Sequence, residues 1–386
     1  MLKKVANYFV VYLGTFSLTT ETAIGRITFS FVLLLKRRIF NSSETRENTL
    51  PLKTFIIDTV KDLWSKKRTP LHIALVYRDF EIVKHFLEWK PEDVNSSMND
   101  DGITPLHIAA YRDSEDICDY LLQIGANVNA TSKTGDTPLF MAETINISKI
   151  IIQSRANVNA RANNSWSPLH HAACKNLLEK ADLLIENGAD INSEHENRLT
   201  QLHLSVCEGH IKMSKLLIES GANANALDSK GYSPLLVAVY FNQIESIEYL
   251  LENGADINAQ LIDGWTSLHI AIDNSNLKMV EKLVYKGANL EIRCNEFRTP
   301  LYDALVQGEQ EILELLVTYG ADVNAITHEN DYLLHWAVSS DDLIFAKILL
   351  QNGALVSVKD QHDITPLEFA MYEKKLNAMK LTMFYQ

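Results

Sequence analysis

The chain has 386 residues, enough for two or three ordinary domains or for one long repeat array. An apolar fraction of 46 % and a charged fraction of 22 % exclude wholesale disorder. A net charge of −13 repels phosphate backbones, so nucleic acid is not an expected partner.

The charge is uneven: residues 1–50 carry a net +4 and the remaining 336 residues −17. Residues 5–20 form a charge-free run of 16 after Lys3 and Lys4, and residues 27–35 form a second apolar run before Lys36, Arg37 and Arg38. Neither reaches the roughly 20 apolar residues of a spanning helix. The first run has the basic start and apolar core of a signal peptide, without an A-x-A-like cleavage site. The basic triplet suits a membrane surface. A packed helical extension and a start codon placed too early are the plainer readings. Membrane association or export through residues 1–50 therefore stands as the alternative to a cytoplasmic protein. Residues 41–48 (NSSETREN) read as a linker. Residues 51–66 read as a helix, with Phe55, Ile56, Val60, Leu63 and Trp64 on its apolar side, that covers the segment after it.

From residue 67 to 386 one seven-residue phrase recurs ten times. It begins at Thr69 (TPLHIAL), Thr104, Thr137, Ser167, Thr200, Ser233, Thr266, Thr299, Tyr332 and Thr365, with intervals of 35, 33 and 30 and then six of 33 residues. A Gly-Ala pair follows 21 residues later in most copies, as at Gly221-Ala222 and Gly254-Ala255, and an Asn stands four residues after most of these glycines. Thr or Ser caps a helix through its hydroxyl. Pro suits the first helical position, where its missing N–H costs nothing. Leu and a small Ala then recur at helical spacing. A second apolar stretch such as Leu216-Leu217-Ile218 predicts a second helix, and Gly ends it in a left-handed cap. The polar stretch after it predicts a hairpin-like turn. Neither helix is long enough to stand alone, so each unit buries its apolar faces against its neighbours.

This phrase at this period, closed by GADVN at residues 320–324, resembles the ankyrin repeat. The resemblance implies an all-α solenoid of helix–turn–helix units whose turns project as fingers. It also implies a concave surface of fingers and first helices that binds a protein, without catalysis.

Departures from the pattern are informative. Repeat one has Lys90-Pro91 in place of Gly-Ala. Repeat three is three residues short between its helices and has Arg155 where Gly is expected, so fraying is expected near residues 145–155 and greatest stability in repeats four to eight. In repeat ten, Lys374, Lys375 and Lys380 suit a polar outer cap.

No catalytic site, metal or cofactor is expected. The phrase histidines, His72, His107, His170, His203, His269 and His335, share one position of the first helical turn, which favours a structural role over a metal or acid–base one. His203, Cys207 and His210 have a spacing open to zinc, yet no fourth ligand is near in sequence, and metal is the weaker reading. The four cysteines form no ligand or disulfide spacing and read as reduced thiols. Phosphate-loop, nucleophile-elbow and zincin motifs are missing, and repeats leave no room for a catalytic domain.

The residue before each phrase neither caps nor packs, and it carries the best functional signal. Repeats four to eight place Trp166, Leu199, Tyr232, Trp265 and Arg298 there. Tyr240 and Phe241 extend the row at the end of a first helix. Trp, Tyr and Arg are common interface anchors, and an acidic surround favours a basic partner. The plainer reading is that these rings stiffen the fingers. Trp336 lies inside the phrase and is expected in the core. The expected protein is a monomer that holds another protein.

Overall fold

The computed structural model describes residues 70–97, 101–326, 331–339 and 343–385. The expectations for residues 1–50 and for the helix at 51–66 lie outside the described residues. Among the described residues, twenty α-helices form ten pairs, one pair for each phrase. The only bridge there is an isolated one, Ile326 to Tyr332. The first helices are short, as in Pro105–Tyr111, Gln201–Cys207, Pro234–Tyr240, Ser267–Asp273 and Pro300–Gln307. The second helices run antiparallel beside them, as in Glu115–Gln123, Ile211–Glu219, Ile244–Glu252, Leu277–Tyr285 and Gln310–Thr318.

The start of each first helix follows from its phrase. Thr137, Ser167, Ser233, Thr299 and Thr365 hold extended backbone, and each hydroxyl accepts the N–H three residues on at 3.2–3.3 Å. The third-position leucines Leu106, Leu169, Leu202, Leu235, Leu268 and Leu301 are at most 1 % exposed, as are Ala109, Ala172, Ala238, Ala271, Ala304 and Ala337. Full burial of one such leucine is worth roughly 2 kcal/mol, and the small alanines let neighbouring first helices approach.

The second helix ends on a left-handed residue. Gly221 takes φ +99° with open space where a Cβ would sit, so conformation rather than room requires glycine there. Repeat three keeps the same cap without glycine, because Arg155 adopts φ +67°. Fraying was expected here, yet Ile145–Gln153 is a regular helix with Ile147 and Ile151 fully buried. The three-residue deletion is absorbed by the first helix, which stops after one turn at Pro138–Met141.

An Asn ladder joins successive repeats. Asn225 donates through its amide to Gly254 O (2.9 Å) and accepts the N–H of Asp256 (2.7 Å), and Asn192 does the same to Gly221 O and Asn223. Glu291 substitutes in one repeat by accepting the N–H of Asp322 at 2.8 Å. The recurrent Asn, read from sequence as a turn residue, is thus a bridge between repeats.

Contacts divide the chain into two units, one up to Asn157 and one from Val158. In the first, the first helices of repeats one to three pack in series, and so do the second helices. The second holds repeats four to ten with the same two layers. In repeat ten, Met371, Tyr372, Leu376, Met383 and Phe384 are exposed beside the exposed Lys374 and Lys380, so this end is apolar as well as basic rather than a polar cap.

Candidate functional site

The candidate residues lie in the second unit, at the base of its fingers. Each finger is a tight loop closed by one backbone bond onto the carbonyl of the residue before the phrase. The N–H of Ala162 donates to Trp166 O, His195 to Leu199 O, Asp228 to Tyr232 O, Leu261 to Trp265 O and Cys294 to Arg298 O, all within 2.8–3.1 Å. The fourth loop residue is left-handed: Ser165, Arg198, Gly231, Gly264 and Phe297. Backbone bonds tie neighbouring fingers together: Ser229 N–H to Asn197 O (2.9 Å), Ile262 N–H to Lys230 O (3.2 Å) and Asn295 N–H to Asp263 O (2.8 Å). At Gly264 a Cβ would lie 2.8 Å from the nitrogen of Asn295, so here room requires glycine.

The phrase histidines hold the fingers in place. Nδ1 of His170, His203 and His269 accepts the N–H of its capping residue at 3.2 Å, the reciprocal half of a capping box. In His203 and His269 that leaves the proton on Nε2, which donates to the next finger, at Tyr232 O (2.9 Å) and Arg298 O (3.3 Å); His335 does the same to Ile364 O (3.0 Å), while Nε2 of His170 has no hydrogen-bond partner. In the first unit His107 donates to Asp136 O at 2.9 Å. Burial pushes His170 and His269 down to about 4 and lowers His107 and His203. The zinc spacing dissolves in the fold: both His203 nitrogens are engaged, and His210 bonds the carbonyl of Cys174 at 3.1 Å. Among the described residues no group of His, Cys, Asp and Glu is placed to hold a metal ion.

Trp166, Leu199, Tyr232, Trp265 and Arg298 are all half-buried. Trp166 stacks on His195 (centroids 6.0 Å apart) and leans on His170 (6.2 Å). Trp265 leans on His269 (6.2 Å), and the Arg298 guanidinium sits 5.8 Å from its centroid. Tyr232 meets Tyr240 edge-on at 6.4 Å, and Tyr240 meets Phe241 at 5.1 Å. Tyr240 and Phe241 are 55 % and 49 % exposed. Two clusters therefore form, Tyr232–Tyr240–Phe241 and Trp265–Arg298, while Trp166 is held by histidines. Leu199 is kept in the row by its loop, whose Asn197 O accepts the N–H of Ser229 on the next finger.

Several neighbours were not legible in the sequence. Asp303 is buried below Arg298, with Oδ1 3.3 Å from Nε, and burial pushes its carboxyl up to about 6 against the pull of Arg298. Ile262 and Phe297 are exposed at adjacent finger tips. Trp336 is not a core residue: it is 37 % exposed and meets Tyr302 edge-on at 5.6 Å. The fifth phrase position is buried where it holds Ile108, Val237, Ile270 or Asp303, and the larger indole of Trp336 stays partly outside.

Comparison with known proteins agrees with this architecture. The family model described as ankyrin repeats (3 copies) matches residues 44–132, 124–195, 187–261 and 258–327, and the single ankyrin repeat model matches 329–361. Alpha-latrocrustotoxin-Lt1a of Latrodectus tredecimguttatus is 36 % identical over 103 residues, 26 % of this chain and 7 % of the toxin. Tyrosine-protein kinase HTK16 of Hydra vulgaris is 31 % identical over 147 residues, 35 % of this chain and 19 % of the kinase. The probable 26S proteasome regulatory subunit p28 of Saccharomyces cerevisiae is 30 % identical over 122 residues, 30 % of this chain and 53 % of p28. The matched segments thus span from under a tenth to about half of these relatives.

Proposed function

The chain belongs to the ankyrin-repeat family, and from that premise we propose that it is a non-catalytic scaffold which holds another protein on the finger and first-helix face of repeats four to eight. The observation that carries this reading is the row Trp166, Leu199, Tyr232, Trp265 and Arg298, half-buried on fingers of which the last four are hydrogen-bonded to one another. Such pinned rings offer contact area with little further loss of side-chain freedom, which is how interface anchors gain their energy. Tyr240 and Phe241 supply the exposed apolar ground beside them. A net charge of −17 after residue 50 favours a basic partner. The relatives fit a module reused in different settings, one of them a proteasome regulatory subunit by name.

We expect the array to act as a monomer in a reducing compartment, since all four cysteines are unpaired. No described helix is long and apolar enough to cross a membrane. Placement at a bilayer by residues 1–50 is the second reading, favoured by their charge-free run and basic flanks. Equal fractionation of the full chain and of a chain beginning at Pro51 would end it.

The test of the first reading is affinity capture with the full chain and with a variant carrying Trp166→Ala, Tyr232→Ala and Trp265→Ala together. Proteins bound by the parent are expected to be lost from a variant whose helical circular dichroism is unchanged. Undiminished capture would refute the site.

A further inference from the structure

The second helices of the last two repeats, Ile344–Gln351 and Leu376–Phe384, line a groove of about 520 Å³ on the side away from the fingers. Its walls are Leu343, Ile344, Leu381 and Phe384, with Lys347 and Lys380 among them. Charge at these helix positions varies between repeats, and repeat five also carries two lysines there, Lys212 and Lys215. Repeats six and eight carry Glu245 and Glu248, and Glu311 and Glu314, at the helix positions where repeats nine and ten have Ile344 and Lys347, and Asn377 and Lys380. Two cations elsewhere on this side meet partners on the neighbouring repeat. Lys282 pairs with Glu248, and Lys215 sits 5.0 Å over the ring of Tyr249, whose hydroxyl donates to Glu219. Among the described residues, Lys347 and Lys380 have no such partner and no carboxylate lines the groove. Ile344 and Phe384 remain 44 % and 82 % exposed.

We propose that this groove is a second docking surface, which takes an amphipathic helix of another protein with aliphatic side chains on one face and carboxylates on its flanks. An apolar floor between two lysines, on a chain of net −13, complements an apolar helix face flanked by carboxylates. The chain's own residues 1–50 carry +4 and would meet like charge. A second copy docked through the same groove would set lysine against lysine. The recognition mode is a helix laid in a groove.

The experiment uses the full chain and a fluorescein-labelled peptide helix with a leucine face and glutamate flanks, beside a twin with lysine for each glutamate. Anisotropy is expected to show the acidic peptide binding at least about tenfold more tightly than its twin, a difference of about 1.4 kcal/mol. The double variant Lys347→Glu and Lys380→Glu should reverse that order. The triple finger variant should leave the binding unchanged, which separates this surface from the finger face. Absence of acidic-peptide binding, equal affinity for both peptides, or indifference to the lysine reversal would overturn the proposal. So would lysine-dependent binding to phosphatidylserine vesicles without peptide binding, or a dimer by light scattering that the lysine reversal abolishes.

Discussion

At the scale of single residues, the chain holds strain at several places where neighbouring repeats use glycine, Phe297 and Arg155 among them. Phe297 takes φ +59° at a finger tip and Arg155 takes φ +67° at a helix end. A side chain in the left-handed region costs on the order of 1 kcal/mol. Phe297→Gly and Arg155→Gly are each expected to raise the urea midpoint by the equivalent of up to about 1 kcal/mol, and a lowered midpoint would refute the strain. The buried histidines set the pH response. His170, His171 and His269 titrate at about 4 in the fold, below an unfolded value of roughly 6.5. Burial is the first cause for each. The unfolded chain therefore binds more protons than the folded one between those values. Their contribution is fully present above about pH 6.5 and is lost as pH falls toward about 4. Asp303 runs the other way: its folded value of about 6 lies above the unfolded one, so it regains stability as pH falls through the same window. Urea titrations at pH 7 and 4.5 should show a net loss in acid. Asp303→Asn, which takes away the acid-side recovery, should deepen that loss relative to its own pH 7 value.

At the scale of elements, the phrase does more than start a helix. Its histidine closes the cap in front and bonds the finger behind, so one side chain links the first helix to the next turn. His203→Ala removes both bonds and is expected to cost about 2 kcal/mol. It should also speed amide exchange in the 228–232 loop, because Tyr232 O keeps only the Asp228 donor. Unchanged exchange there would show the histidine to be incidental. The sequence pattern made the helices and their caps visible, since Thr-Pro starts and Gly stops act within a few residues. It did not reveal where the Asn and His side chains reach, because those bonds span 28 to 31 residues along the chain and depend on stacking. The same limit hid the exposure of Trp336, whose phrase position is buried in other repeats.

At the scale of the whole molecule, periodicity made the solenoid class legible, and variation within the period marked the candidate row. Position alone could not show which of those residues touch. Tyr232 joins Tyr240 and Phe241, whereas Trp166 turns to His195. Nor could it show the unpaired lysines of the last groove, because pairing between repeats is a property of the fold. The proposed binding face requires fingers that stay in register without a partner. Amide hydrogen exchange of the free chain measures this directly. The N–H groups of Ser229, Ile262 and Asn295 sit in surface loops, yet each donates to the preceding finger. They are predicted to exchange at least about tenfold more slowly than the neighbouring amide of Glu296, as hydrogen-bonded groups do. Exchange of all four at the same unprotected rate would mean that the fingers move independently and present no common face.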